Sequence, residues 1–263
     1  MPRSARCRAG MQGSDPPAKG NTMDVKWAVL RTLRRGAGID VVRARKNPNV
    51  IDFIDNRKIN LVLDVGANVG QFGRSLRDRG YAGRIISFEP VGEAFKELEN
   101  TARGDDLWTV FNVAMGASSG VMTINVSKNS QFSSFSDLTA TGRRFDPNAE
   151  FKGSERVTVR TLDEAGPSAD SSSNILLKID TQGFERNVLE GAKQTLKNVK
   201  GVLLELPITK IYEGNWSFHE AVAYMGELGF VLAQVHPVNI HTNAKDSATE
   251  FDCLFRPVDP SID

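Results

Sequence analysis

Four carboxylates placed at or near the ends of apolar runs are the groups best suited to chemistry: Asp64, Glu89, Asp180 and Glu205. Asp64 lies in Leu61-Val-Leu-Asp-Val65, followed by Gly66, Gly70 and, one turn later, Gly73. A continuous apolar run that passes through glycines into a helical pattern is how a buried parallel strand turns towards a ligand. Glycine lets the backbone approach closely, and the helix N-terminus offers unpaired N–H groups. Glu89, in Phe88-Glu-Pro90, ends the next run, where a carboxylate can accept both hydroxyls of a ribose. Asp180 and Glu205 close two later runs, on the carboxyl edge where open α/β sheets bind ligands. One such carboxylate can take a proton from a hydroxyl. Two together can share a proton or hold a hard cation such as Mg²⁺.

The glycine spacing narrows the cofactor. A dinucleotide fingerprint needs G-x-G-x-x-G after the strand. Here Asn68 stands in place of the second glycine and Gln71 in place of the third. The pyrophosphate cradle is broken, and a nucleoside cofactor without phosphates fits better. A plain tight turn is the alternative for Gly66 and Gly70.

These residues need an alternating scaffold to position them. Val50–Asn56 reads as a short helix, Leu61–Val65 as a strand, and Phe72, Leu76 and Arg77 as a helix. Arg84–Phe88 is a strand, followed by a helix bearing Phe95, Leu98 and Ala102. Thr109–Val113, Val121–Val126 and Val157–Arg160 read as strands, the second outside the alternation. Ile175–Asp180 is a buried strand, after which Phe184, Val188, Ala192 and Leu196 fall four apart on a helix. Gly201–Leu206 is a strand, Phe218–Leu228 a helix, and Phe230–Val235 with Glu250–Arg256 a closing strand pair. The pattern predicts a Rossmann-like α/β fold: a mainly parallel seven-stranded sheet, helices on both faces and a late antiparallel strand. Residues 127–153 form a long Ser/Phe-rich loop, and a loop of that length is expected to be functional or mobile.

Residues 1–22 are rich in Gly, Pro, Ser and Arg and read as a disordered tail. Met23 is a second possible start. The segment 23–49 is basic and amphipathic, with Trp27, Leu30 and Leu33 among arginines and lysines. It reads as a helix packed on the domain with a solvated basic face, the alternative for 24–46 being a peripheral membrane contact. The catalytic domain is expected over 50–258. A net charge of +1 over 263 residues argues against an extended nucleic-acid footprint. Cys7 and Cys253 support neither a disulfide framework nor a cysteine zinc site. With no apolar run of transmembrane length, the expectation is a soluble, cytoplasmic protein.

Asp64-Val-Gly-Ala-Asn-Val-Gly70 resembles motif I of Rossmann-like S-adenosylmethionine methyltransferases. Phe88-Glu-Pro90, Asn112-Val-Ala-Met-Gly116, Leu162-Asp-Glu164, Leu177-Lys-Ile-Asp-Thr-Gln-Gly-Phe-Glu185 and Val188-Leu-Glu-Gly-Ala192 follow. The ordered set, over about residues 50–255, resembles the FkbM family of methyltransferases. Gln182 departs from it, since the family often carries Glu there. The resemblance implies O-methyl transfer from S-adenosylmethionine to a hydroxyl, commonly of a sugar in a glycolipid or other secondary metabolite. Asp64 opens the cofactor motif, and Gly66, Asn68 and Gly70 would wrap the amino-acid end. Glu89 would hold the ribose, with Asn112 and Ala114 near the adenine.

Asp180 is the expected base and Glu205 its partner, with Lys178 in support. Asp180 could instead cap the next helix or face the sulfonium. Mg²⁺, if used, would fall on Asp180 and Glu205. Ser133 and Ser134 of the long loop, Glu213, Trp216, His236 and His241 are the candidates for meeting the acceptor. Phe132 and Phe135 either belong to a lid or pin that loop to the core. The rival enzyme reading, an NAD(P)-dependent short-chain-type oxidoreductase, wants a Tyr-x-x-x-Lys pair, and Tyr81, Tyr212 and Tyr224 each lack the lysine. A non-catalytic nucleoside-binding module is the third reading.

Overall fold

The computed structural model describes residues 48–145, 149–166, 173–240 and 246–262. Residues 1–22, Met23, most of 23–49, most of the 166–173 connection, Cys7 and His241 lie outside the described residues. Helix α1 (Val50–Asn56) opens on a capping box: Asn49 accepts from Ile51 and Asp52 N–H, and Asp52 accepts from Asn49 N–H. There follow β1 (Leu61–Val65), α2 (Gln71–Asp78), β2 (Arg84–Phe88), α3 (Gly92–Ala102) and β3 (Trp108–Phe111). Then come β4 (Ala114–Met115), β5 (Gly120–Ser127), α4 (Gly142–Phe145), β6 (Phe151–Arg160), α5 (Leu162–Ala165) and β7 (Ile175–Ile179). The chain continues through α6 (Glu185–Glu190), β8 (Val199–Pro207), α7 (Phe218–Glu227), β9 (Phe230–Ile240) and β10 (Ala248–Pro257).

The large sheet has seven strands in the order β3-β2-β1-β7-β8-β10-β9. The first five are parallel, and β10 runs antiparallel to both β8 and β9. Every residue of β1 and β7 is buried, which is why both read as near-continuous apolar runs, interrupted only by Asp64 and Lys178, rather than alternations. Leu61, Leu63 and Val65 face one core with Val188 and Leu189 of α6 and Ala221 and Met225 of α7. Val62 faces the other with Phe53 of α1, Leu76 of α2 and Leu98 of α3. Chain direction away from β1 reverses between β2 and β7, so the ligand crevice belongs at their carboxyl ends.

Two expectations change. The helix after Asp180 is shorter than its apolar spacing implies: α6 stops at Glu190, and a separate 3₁₀ turn covers Thr195–Asn198. Gly191 is its C-cap, and a Cβ there would lie 2.0 Å from the carbonyl oxygen of Gly116, so that close approach requires glycine. In addition, β4, β6 and β5 form a second, three-stranded sheet, not extra strands of the first. Its Ala114, Ile124 and Val157 pack with Val91 and Ala94 at the start of α3. The third strand is shifted slightly, ending at Phe111 rather than Val113.

The 127–153 segment is held down at several points. A 3₁₀ turn spans Ser130–Phe132, and bridges join Asn125 to Ser134 and Leu138 to Tyr212. Phe132 packs with Leu138, Ile211 and Tyr212, while the Phe135 ring meets Phe184 at 4.6 Å. Among the described residues no helix is long and apolar enough to cross a membrane.

Candidate active site

The turn after β1 is shaped by backbone that only small or left-handed residues tolerate. Gly66 has φ +75°, and a Cβ there would sit 1.8 Å from the Asp180 carbonyl oxygen. Asn68 follows at φ +49°, a region that Asn enters more readily than most residues. Its N–H donates to Glu89 Oε2 at 2.8 Å. Glu89 Oε1 accepts from Val91 N–H at 2.9 Å, so one carboxylate ties the first loop to the second. Burial pushes Glu89 up to about 7, against the pull of the Val91 and Asn68 N–H groups. The side chain of Asn68 also exchanges hydrogen bonds with Ser130, at 3.1 and 3.2 Å, which fastens the long loop over the turn.

Beside this turn lies a cavity of about 280 Å³. Gly66, Asn68, Glu89 and Ala114 line it, as do Asp180, Glu205 and Ser133. Phe88, Met115 and Ile124 add an apolar side suited to a flat base, and Phe132 and Phe135 contribute from the loop. Those phenylalanines pin the loop to the core, as one reading expected, and also wall the cavity.

Other expected residues have structural work instead. Asp64 does not line the cavity. It is fully buried, accepts from Ser87 Oγ at 3.2 Å and pairs with Lys178 at 3.3 Å. Gly70, at φ +87°, lets the loop pass within 2.9 Å of where Leu98 would meet a Cβ. Asn112 donates to the carbonyl oxygens of Glu89 and Pro90 at 2.9 and 3.0 Å, fixing the turn that carries Glu89 rather than reaching a base. Ser134 is buried and donates to the Gln182 carbonyl at 2.6 Å. His236 sits on the edge strand β9 beside Gln234, 3.3 Å away, and outside the cavity lining. Glu213 and Trp216 line a different cavity.

The carboxylates at the ends of β7 and β8 form one network. Lys178 Nζ lies 3.2 Å from Asp180 Oδ2 and 3.3 Å from Asp64 Oδ1. Burial alone would lower the lysine, but the charges of Asp180, Asp64 and Glu205 outweigh it and keep it protonated. Burial likewise pushes against Asp180, yet Lys178 and hydrogen bonds from Glu205, Gln182 and Lys178 hold it below the usual carboxylate range. Glu205 moves the other way. Burial, then the charges of Asp180 and Glu250, raise it well above that range. The two neighbouring carboxyl groups are thus pushed apart, Asp180 towards the ionised form and Glu205 towards the protonated one.

Gln182 organises this pair, a role its sequence position does not announce. Its backbone is left-handed at φ +54°. Its Nε2 donates to Asp180 Oδ1 at 2.9 Å and to Glu205 Oε2 at 3.1 Å. Tyr212 donates to its Oε1 at 3.0 Å, which fixes the amide's orientation. A neutral donor therefore occupies the position between the carboxylates that a shared cation would take. Among the described residues no group of three or more His, Cys, Asp or Glu side chains could hold a metal ion. The Mg²⁺ expectation finds no support here.

A glycine turn after the first strand, an acid after the second, and a parallel sheet closed by a reversed strand define a Rossmann-like methyltransferase. The methyltransferase FkbM domain model matches residues 64–232, and the chain belongs to that family. It is an S-adenosylmethionine-dependent methyltransferase, which sets aside the oxidoreductase and the non-catalytic module. The chain is similar to the 2-O-methyltransferase NoeI of Sinorhizobium fredii, with 26% identity over 160 residues. That alignment covers 59% of this chain and 66% of the relative, just under two thirds of its length. Similar solved structures include a Burkholderia thailandensis 1,6-didemethyltoxoflavin-N1-methyltransferase, at 9% identity and TM-score 0.43, covering 95% of each chain. Another is a TehB-like methyltransferase from Corynebacterium glutamicum, at 11% identity and TM-score 0.40, covering 92% of this chain and 100% of that one.

The site suits the cofactor. Gly66 lets the cofactor turn pack directly on the Asp180 carbonyl, and Glu89 lines the cavity with a carboxylate able to accept hydroxyl groups. Asp180 and Glu205 stand at the other side of the turn, where a sulfonium charge is favoured.

Proposed function

We propose that this protein transfers a methyl group to a hydroxyl, and that the hydroxyl belongs to a sugar in a glycolipid or another secondary metabolite. The observation that carries this reading is that Asp180 and Glu205 stand side by side on the cavity wall, both held by the Gln182 amide. An alcohol is a poor nucleophile until its proton is drawn away, and Asp180 is a base at neutral pH set against the cofactor turn. S-adenosylmethionine supplies the electrophilic methyl group when bound. Asp180 accepts a hydrogen bond from the incoming hydroxyl, orients its oxygen and takes its proton. Lys178 keeps the carboxylate ionised, and the phenylalanines of the long loop exclude water. The 2-O-methyltransferase named among the relatives supports an oxygen acceptor.

On the same reading, the basic segment 24–46 brings the enzyme to a membrane that carries its glycolipid, and the protein works on the cytoplasmic side. The deciding experiment compares sugars and lipids, by mass spectrometry, from cells with and without the protein. Purified protein is then given S-adenosylmethionine labelled in its methyl group and the fractions that differ. Label on a carbohydrate oxygen is the expected result. Label on nitrogen or carbon would overturn the reading.

A further inference from the structure

A second, larger cavity of about 640 Å³ opens behind the carboxylate network. Gln182 lines the first cavity, and its neighbour Gly183 and its hydrogen-bond partner Tyr212 line the second. Tyr212 lines the outer cavity while its hydroxyl holds Gln182. Gly183 has φ +99°, and a Cβ there would meet Tyr212 Cβ at 3.2 Å and Asn215 Cγ at 3.7 Å. Asn215 also lines a void of about 10 Å³ between the two spaces, together with Gln182 and Glu205.

The lining of this outer cavity carries polar groups with nothing to bond to. Beneath its surface, Asn215 Oδ1 and Trp216 Nε1 are closed off without a hydrogen-bond partner among the described residues, in side chains only 6% and 7% exposed. Asn187, Glu213 and Tyr224 also line the cavity, and their side chains make no hydrogen bond to another described residue. The two cations that could attract a phosphate are already engaged. Arg186 pairs with Glu190 at 3.2 Å and lies over the Tyr224 ring, and Lys210 pairs with Glu220 at 3.8 Å.

A lining with free donors and acceptors, including the Glu213 and Glu227 carboxylates, and no uncommitted positive charge disfavours phosphates and matches hydroxyl groups, each of which both donates and accepts. Its volume lies within the usual range for small-molecule sites, roughly 300–1,000 Å³. We propose that the outer cavity is a second saccharide subsite, which holds an uncharged sugar unit of the acceptor next to the unit that is methylated. The inference rests on the sugar-hydroxyl reading for its second half only, since binding can be measured without turnover. A sugar held there touches Tyr212, and through it the amide that sets the carboxylate pair.

The test uses the full chain and saturation-transfer NMR with methyl glucoside, methyl galactoside, methyl mannoside and lactose, with glucose 6-phosphate as the charged control. At least one neutral probe is expected to bind at millimolar concentration. The double variant Asn187→Ala/Glu213→Gln alters side chains that are not fully buried, and its fold is checked by circular dichroism. It should bind that probe roughly tenfold more weakly, the weight of one or two hydrogen bonds, with unchanged affinity for S-adenosylmethionine. No binding of any neutral probe, binding unchanged in the double variant, or preference for glucose 6-phosphate would each overturn the proposal. Probe binding that behaves as expected while labelled methyl groups appear only on nitrogen or carbon would leave the subsite standing and remove the hydroxyl reading instead.

Discussion

Glu89 is a carboxylate whose charge depends on pH near neutrality, and this gives the cofactor site a measurable pH response. On the proposed reading the ionised form accepts the ribose hydroxyls, and burial raises the free group to about 7. Above that pH the proton has already left, so affinity for S-adenosylmethionine should be flat. Below it a proton must be released on binding, and affinity should fall about tenfold per pH unit. Calorimetry from about pH 5.5 to about pH 8.5 reads this directly, and Glu89→Gln should remove the slope. For Asp180→Asn, turnover should drop by about 10²–10⁴-fold, the usual weight of a general base, while the cofactor still binds. Near-normal turnover in that variant would take Asp180 out of the mechanism. At this scale the sequence was informative where a residue's type states its chemistry. Asp180, Glu205 and Glu89 could be named because acids at strand ends have few other uses. Gln182 could not, because an amide gains its role only from what it lies between.

Two glycines with left-handed backbone separate crowding from strain at the level of elements. A Gly66→Ala methyl would collide with the Asp180 carbonyl at 1.8 Å, whereas at Gly104, with φ +86°, nothing lies within 4 Å. Gly104→Ala should therefore cost only the conformational penalty, about 1–2 kcal/mol, and bind the cofactor normally. Gly66→Ala should cost more and abolish binding, because β1 and β7 must part at the site. Denaturant midpoints together with calorimetry distinguish the two. A second local device is the capping box at α7, where Ser217 accepts from Glu220 N–H and Glu220 accepts from Ser217 N–H. Ser217→Ala should lower stability by about 1 kcal/mol, read as a shift in the denaturant midpoint. Element bounds were legible where burial is two-sided, as in β1 and β7, since near-continuous apolar runs have one explanation. The end of α6 was not, because Ala192 and Leu196 keep the helical spacing. The close approach of Gly191 to Gly116 that follows the last turn joins distant parts of the chain.

At the scale of the molecule, a mainly parallel seven-stranded sheet with a late reversed strand follows from the alternation of elements, while the order of its strands comes from their pairing. The three-stranded sheet does not follow, since its strands read like additions to the main one, and only pairing assigns them. The closing strand β10 lies between β8 and β9 and carries Cys253, which is fully buried. Burial, with the charge of Asp252 behind it, pushes the thiol up to about 12, so it has neither access nor thiolate in the folded state. Alkylation followed by peptide mapping should leave Cys253 unlabelled until denaturant unfolds the sheet. Labelling that precedes the loss of circular dichroism would mean that β10 opens by itself.

The place of β10 has a further consequence for a growing chain. Glu205 sits on β8, and its partner across the ladder is Asp252 of β10. Of the seven strands, the one that covers the reacting edge is the last to leave the ribosome. Until it arrives, β8 presents a row of unpaired backbone groups, the kind of edge that invites pairing with another chain. A nascent enzyme can thus assemble its cofactor loops early, from β1 and β2, yet holds its proton-sharing pair beside an unfinished sheet until synthesis has passed residue 257.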